Sequence, residues 1–139
     1  MIRIIRVIND LYILEITTTK KDEVIDITDK VNEVVAKSNR KSGVCVINLL
    51  HTTCAITTAD LDPGTDEDLL ETLRKMLPNI SYRHPHDPSH TGDHILSSVV
   101  GTSISLIFEN RSLVLGTWQR VVLVELNGPK PRRIAYAII

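Results

Sequence analysis

The sequence predicts an α+β fold: one domain over residues 1–139, in which a mixed, largely antiparallel sheet packs against two or three helices. Strand-like segments outnumber helical ones and do not alternate regularly with them, which argues against a repeating βαβ architecture. The chain has 139 residues, of which 42% are hydrophobic, so it can bury a core of its own. No internal repeat or low-complexity linker divides it.

The first predicted strands form a hairpin. Ile2–Ile8 and residues 11–18 are rich in Ile, Val, Tyr and Thr, and the intervening Asn9-Asp10 pair tolerates the positive φ angles of a tight turn. Residues 44–50 and 52–58 form two further apolar runs that are rich in β-branched side chains. Such runs predict central strands of a sheet.

Three helices are predicted from capping residues and from apolar side chains that recur at helical spacing. Acidic residues at the start of the second helix complement its dipole. The predicted helices begin at the caps Thr28 or Asp29, Thr65 and Asp93, and they end before Gly43, Pro78 and Gly101.

The end of the chain predicts an antiparallel meander. Residues 103–108, 113–115, 121–126 and 133–139 have strand composition, and turn residues separate them. The segment between the second and third helices differs from all of these. Residues 78–92 contain three prolines and no regular apolar pattern, which is typical of a long loop with a function.

The histidines are the first candidates for chemistry. All five fall between positions 51 and 94, and four of them lie within eleven consecutive residues. An ion such as zinc binds three or four ligands, and imidazoles from different elements can meet around it. We predict His51, His84 and His94 as the metal ligands, because a strand end, a loop and a helix start supply one each.

The remaining two histidines, His86 and His90, rank second. His90 and His94 are four residues apart, but Gly92 and a cap at Asp93 argue against one continuous helix across both. Asp93 could also orient the neighbouring imidazole as a carboxylate partner. Solvated loop histidines are the alternative interpretation, because the sequence contains neither an HExxH nor a CxxC motif.

Hydroxyl groups and turns near the histidines predict a site for an oxygen-rich ligand such as phosphate. Arg120 is the favoured cation for it. Trp118, the only tryptophan, either belongs to the core or forms the apolar wall of a pocket. The predicted ligand-binding residues are Thr52, Thr53, Ser97, Ser98, Thr102, Trp118 and Gln119.

Composition excludes several classes of function. Sixteen basic residues balance 17 acidic ones, giving a net charge of -1, so nucleic acid is not an expected partner. No apolar run approaches the roughly 20 residues of a membrane span, and no signal peptide is evident, so we expect a cytoplasmic protein without a membrane partner. Cys45 and Cys54 lie in apolar segments and are predicted to be free core residues.

Four motifs follow one another along nearly the whole chain: His51-Thr52-Thr53-Cys54-Ala55, Tyr82-Arg83-His84, Asp93-His94-Ile95-Leu96-Ser97-Ser98 with Gly101, and Gly116-Thr117-Trp118-Gln119. Together they resemble the YjbQ-like family, also called the secondary thiamine-phosphate synthase family. The last motif is the most specific. After the histidine strand, many relatives carry an Asn-Glu pair, whereas this chain has Asp60 as the nearest counterpart.

The resemblance implies a homotrimer whose matching histidines often hold a metal. It also implies a transferase that joins hydroxymethylpyrimidine diphosphate to thiazole phosphate and releases diphosphate. In such a reaction, a divalent ion and Arg83 or Arg120 would stabilise the leaving group, Trp118 would stack on an aromatic ring, and Asp60 would contact metal, base or substrate. The expected cofactor is zinc, with magnesium as the alternative for a diphosphate, and the expected partner is a small phosphorylated substrate.

Two other functions fit the same residues. A metal held by three histidines with an open position activates water, which predicts a hydrolase of a phosphate or ester. The sequence also lacks an obvious nucleophile or general base, which favours a non-catalytic trimeric protein that binds a metal or another ligand.

Overall fold

A computed structural model of the chain describes residues 2–8 and 11–139. Within these residues the strands are β1 (Ile2–Ile8), β2 (Leu11–Thr17), β3 (Glu23–Asp26), β4 (Gly43–Leu49), β5 (Cys54–Ala59), β6 (Ser103–Glu109), β7 (Ser112–Leu113), β8 (Arg120–Glu125) and β9 (Pro131–Ile138). The helices are α1 (Thr28–Lys37), α2 (Thr65–Lys75) and α3 (Thr91–Val100), with a 3-10 turn at Pro88–His90.

The strands form two antiparallel sheets. The larger has the order β1-β2-β9-β4-β6-β7, and the smaller has the order β3-β8-β5. The α+β class and the antiparallel character are confirmed, and every strand pair within the described residues is antiparallel. β1 and β2 pair as predicted, whereas the predicted turn at Asn9-Asp10 lies outside the described residues.

The central strand of the smaller sheet, β8, is buried on both faces. On β8, Val121 and Leu123 pack into a core shared with α1 and the larger sheet, while Val122 and Val124 pack into a second core beneath α2 and α3. This two-sided burial explains why β8 is an uninterrupted apolar run, since alternate side chains of a strand face opposite sides. The predicted meander is therefore wrong at this strand, because β8 pairs with β3 and β5 instead of its sequence neighbours.

Helix boundaries differ from the predicted ones where side chains have other partners. Thr28 is the first residue of α1, and its hydroxyl bonds Asp26 instead of capping. α1 ends at Lys37 with Ser38 as its C-cap, well before Gly43, which instead begins β4. The N-cap of α2 is Gly64, whose φ of 90° suits glycine, and not Thr65.

Three further features of the fold concern the predicted residues. Cys45 and Cys54 are buried and free, as predicted, and burial raises the pKa of the Cys45 thiol to about 12 and that of Cys54 to about 11. Gly101 ends α3 with a φ of 111°, also as predicted. None of the helices in the described part of the chain is long and apolar enough to cross a membrane.

Candidate metal centre

The loop between α2 and α3 brings three histidines together. His84 lies in this loop, His90 directly precedes α3, and His94 lies in its first turn. The ring centroids are 4.8 Å apart for His84 and His90, 5.1 Å for His84 and His94, and 5.2 Å for His90 and His94. One nitrogen of each ring lies within 4.8 Å of those of the other two. Among the described residues, these three form the group suited to holding a metal ion.

The start of α3 explains why His90 is in this group. Asp87 holds the 3-10 turn in place, because its Oδ1 accepts hydrogen bonds from the Ser89 amide at 2.9 Å and the Ser89 hydroxyl at 2.6 Å. The turn leads directly into α3 at Thr91, and the residue before it, His90, is the N-cap. His90 and His94 therefore face the same side, as residues four apart on a helix do. The predicted N-cap at Asp93 is therefore wrong by three residues.

Hydrogen bonds prepare two of the imidazoles for metal binding. The Nδ1 atom of His94 lies 3.0 Å from the carbonyl oxygen of Thr52, and Nδ1 of His90 lies 3.3 Å from Oδ2 of Asp87. Both oxygens only accept, so each Nδ1 carries a proton and the lone pair is on Nε2. Metal-bound histidines usually donate their second N–H to a carbonyl or carboxylate in this way.

His84 is held less firmly. The Asp87 amide donates to its Nδ1 at 3.3 Å, which is a long hydrogen bond. Partial removal from solvent, followed by the neighbouring His90, His94 and His86 rings, lowers the pKa of His84. The lowered pKa favours the neutral ring that a metal needs. Its lone pair is on Nδ1, so the long hydrogen bond from the Asp87 amide must open before His84 binds a metal. His86 lies farther out, with its ring centroid 6.0 Å from that of His84.

His51 occupies a different position from the three clustered histidines. Its Nε2 accepts a hydrogen bond of 2.7 Å from the backbone amide of Arg133, at the start of β9. Burial, and then the positive charge of Arg132, lowers the pKa of His51. The ring lines the same cavity as His90 and His94, but it is not a member of the close group.

Arg74 holds the first turn of α3 in place through ion pairs and hydrogen bonds. Its Nη1 donates to Asp93 at 2.5 Å, its Nη2 and Nε donate to Asp22 at 2.5 and 3.0 Å, and Nη2 also donates to the Leu126 carbonyl at 2.8 Å. Asp93 is almost fully buried. It is therefore neither the cap of α3 nor a hydrogen-bonded partner of an imidazole. Its ion pair to α2 instead fixes the turn that carries His94.

A cavity of about 440 Å³ opens beside the histidines. Its walls include Thr52 and Thr53, two of the predicted ligand-binding residues, but Thr53 Oγ1 already accepts a hydrogen bond from buried Arg132. The residues lining it are Leu50, His51, Thr52, Thr53, His90, His94, Asn127, Lys130 and Arg132. Two of these are cationic and none is acidic.

A second cavity, of about 260 Å³, contains other predicted site residues: Asp60, Trp118 and Arg120. Trp118 is 70% exposed, so it forms a cavity wall and not part of the core. Arg120 donates to Asp26 at 2.8 Å and lies 3.5 Å from Asp29. β5 separates the two cavities, and its six residues span about 20 Å. Within one chain, Asp60 and Arg120 therefore do not meet the histidines.

The other predicted ligand-binding side chains are dispersed. The Ser97 hydroxyl is buried and donates to the Cys54 carbonyl at 2.6 Å, so it joins α3 to β5. Ser98 is exposed and Thr102 is half-buried. Gln119 lies near the second cavity, where its amide nitrogen donates to the Thr58 hydroxyl at 3.1 Å. Arg83 is exposed beside His84 in the sequence.

Three residues that line the first cavity are not among the predicted site residues: His90, which ranked second, and Lys130 and Arg132. The i, i+4 spacing of His90 and His94 was a usable signal, because it indicates one helical face. Arg132 gives no comparable signal, because it stands between Pro131 and another arginine, Arg133. Lys130 and Arg132 reach the cavity through the pairing of β9 with β2 and β4, which the sequence pattern does not specify.

Comparison with protein-family models gives a match over residues 12–139, to the family described as UPF0047 protein YjbQ-like. Among curated proteins, the chain is similar to UPF0047 protein YugU of Bacillus subtilis, with 38% identity over 86% of this chain and 91% of that protein. It is also similar to a UPF0047 protein of Archaeoglobus fulgidus, with 34% identity over 87% of this chain and 94% of the relative.

Solved structures agree with this match. A YbjQ-like protein of unknown function from Sulfolobus solfataricus has a TM-score of 0.85 and 30% identity, covering 99% of this chain and 98% of that one. An uncharacterised YjbQ/UPF0047 protein from Clostridium acetobutylicum has a TM-score of 0.83 and 34% identity, covering 91% and 98%. The chain thus shares the fold of these proteins.

Proposed function

The chain belongs to the UPF0047 YjbQ-like family, and we propose that it acts through a divalent metal ion held by His84, His90 and His94. The observation that carries this proposal is the approach of three imidazole nitrogens to within 4.8 Å of one another. Three nitrogens on one tetrahedral zinc ion, each about 2.0–2.1 Å from it, lie about 3.4 Å from one another. The nitrogens must therefore approach one another by up to about 1.4 Å to complete the site.

The chemistry of the donors favours an ion such as zinc over magnesium. Neutral imidazoles suit zinc, and they also suit copper, nickel and iron, whereas magnesium prefers oxygen ligands. His90 and His94 already have their Nδ1 protons directed at fixed acceptors. In this proposal the third ligand is His90 and not His51, which the sequence predicts. Magnesium would bind only together with a diphosphate substrate.

For the reaction, we propose transfer of the thiamine-phosphate synthase type. The thiazole nitrogen forms a bond to the methylene carbon of the pyrimidine, and the bond from that carbon to the diphosphate oxygen breaks, with its electron pair leaving on diphosphate. A bound divalent ion supplies electrostatic stabilisation of this leaving group. Arg83, which is exposed beside His84, supplies a second positive charge.

The test is a direct assay. Purified protein loaded with zinc is incubated with hydroxymethylpyrimidine diphosphate and thiazole phosphate, and thiamine phosphate is measured by chromatography. We expect product formation that falls to background when zinc is removed with a chelator and returns on adding zinc. Product formation that is unchanged by metal removal would contradict the proposal.

The same assay tests the hydrolase alternative, which the cavity beside the histidines favours because it leaves room for a metal-bound water. Hydrolysis releases phosphate or diphosphate from the pyrimidine substrate when thiazole phosphate is absent. Release without coupling would support the hydrolase. Zinc binding with neither reaction would support the non-catalytic alternative.

We also propose that the protein is a homotrimer. The outer face of the larger sheet carries apolar side chains that are exposed in the single chain, such as Ile107 at 65% and Val114 at 56%. Exposed apolar patches of this kind mark association surfaces. Light scattering after gel filtration is expected to give the mass of three chains, and Ile107→Glu is expected to give a single chain. A monomeric wild-type protein would contradict this proposal.

A further inference from the structure

The first cavity is lined by basic side chains as well as by two of the clustered histidines. His51, Lys130 and Arg132 line it together with His90 and His94. The positive charge of Arg132 is paired with the buried carboxylate of Glu125. Lys130 is exposed, and within the described residues its ammonium group makes no ion pair or hydrogen bond. The cavity therefore has one cation available for a ligand.

The hydrogen bond made by His51 determines which nitrogen it offers to this cavity. A backbone amide can only donate, so the 2.7 Å contact from Arg133 requires a lone pair on Nε2. A neutral imidazole with its lone pair on Nε2 carries its proton on Nδ1. Within the described residues this Nδ1–H has no acceptor. His51 therefore offers the cavity a hydrogen-bond donor and not a metal-binding lone pair.

The N-terminus of α3 adds positive character to the cavity. Its N-cap, His90, lines the cavity, and the positive end of the helix dipole lies there. The amides of His90 and Thr91 are already bonded within the preceding 3-10 turn, so they are not free donors. The free donors of the cavity are therefore Lys130 and the Nδ1–H of His51, and no acidic side chain lines it.

We infer that this cavity is an oxyanion site, in which the Nδ1–H of His51 and the ammonium group of Lys130 bind a phosphate or carboxylate group. The inference deepens the proposed function, because it gives His51 and Lys130 roles in binding the anionic part of the substrate beside the metal. Anion binding does not require a bound metal, because neither His51 nor Lys130 belongs to the close group of histidines.

The state of His51 can be observed directly by NMR. In metal-free protein labelled with 15N, measured at pH 8, we expect the proton of the His51 ring on Nδ1, in contrast to Nε2 in most neutral histidines. Titration with zinc is expected to shift the His90 and His94 ring signals and to leave the His51 ring proton on Nδ1. A His51 ring protonated on Nε2, or one that binds zinc, would overturn the inference.

Anion binding is tested on the same metal-free sample with inorganic phosphate and, separately, acetate. We expect the His51 Nδ1–H signal to move on titration and the affinity to fall about tenfold in Lys130→Gln, because a charge-assisted hydrogen bond is lost. Lys37→Gln, which removes an exposed lysine at the end of α1, is the matched control and is expected to bind like wild type.

The two anions distinguish the class of ligand. Binding of phosphate alone identifies a phosphate site, and binding of both identifies a general oxyanion site. An unchanged His51 signal with both anions, or equal affinity in wild type and Lys130→Gln, would overturn the inference. Zinc binding is measured separately in this design, so a failed oxyanion site and a failed metal centre give different results.

Discussion

His90→Ala is expected to weaken zinc binding by at least about 100-fold, whereas His51→Ala is expected to leave it within about threefold. His90 supplies a ring nitrogen to the close group, and its Nδ1 lies 3.3 Å from Asp87. Loss of a residue that merely orients a ligand costs about 10–100-fold in metal affinity, and loss of a ligand costs more. The Nε2 of His51 is already occupied by the Arg133 amide.

Competition against a zinc-binding dye at pH 8 measures these affinities. His86→Ala is the matched control, because it removes a histidine of the same loop that is not in the close group. Circular dichroism checks that each variant is folded. If His51→Ala loses zinc and His90→Ala keeps it, the ligand set is His51, His84 and His94, as the sequence predicts, and the proposed set is wrong.

Strands and helices with strong local patterns could be predicted from the sequence. β1, β2, β4 and the apolar run of β8 have strand composition, and the valines of α1 recur at helical spacing. β3 was not predicted, because its four residues include two acidic ones and give too short a pattern. The pairing of β8 was not predictable from local signals either, since strand composition does not identify a partner in another sheet.

The histidine site could be predicted only in part, for a specific reason. The clustering of histidines is visible in the sequence, and His84 and His94 were identified from it. Whether His90 joins them depends on where α3 begins. That start is coupled to the ion pair between Asp93 and Arg74, which lie 19 residues apart in the chain. Asp93 matches the local pattern of an N-cap, so local reasoning assigned it a capping role.

The buried ion pair of Arg132 and Glu125 is a second feature that could not be predicted from the sequence. Charged residues are almost never fully buried unless they are paired, and a sequence does not reveal the pairing. In the structure, Arg132 is 2% exposed and Glu125 is 0% exposed. Arg132 Nε donates to Glu125 Oε2 at 2.7 Å, and its Nη2 donates to Oε1. The pair lies beneath the first cavity and supports the wall that includes Thr53.

Arg132→Met is expected to reduce the free energy of unfolding by about 3–5 kcal/mol, the usual effect of leaving a buried charge without its partner. Chemical denaturation at pH 7 measures it. Arg133→Met is the matched control, because it removes an exposed arginine from the next position of β9, and it is expected to change stability by less than about 0.5 kcal/mol. Equal effects in the two variants would show that the buried pair does not stabilise the fold.

The pH dependence of stability separates the charge of this pair from its packing. Burial raises the pKa of Glu125, but hydrogen bonds from Arg132, Asn127 and Thr18 outweigh it and place the pKa below the ordinary value of 4.5. A lowered pKa means that the folded state gains stability above the unfolded value and loses it as pH falls through the folded value. Arg132→Met removes the main cause of the lowering, so the stability of this variant should fall less steeply in acid than that of wild type.

A double variant tests whether the unpaired carboxylate causes the loss. Adding Glu125→Gln to Arg132→Met removes the unpaired charge, while the amide oxygen of Gln still accepts hydrogen bonds. The double variant should therefore regain part of the lost stability at pH 7. If it is less stable than Arg132→Met alone, the unpaired carboxylate is not the cause of the loss.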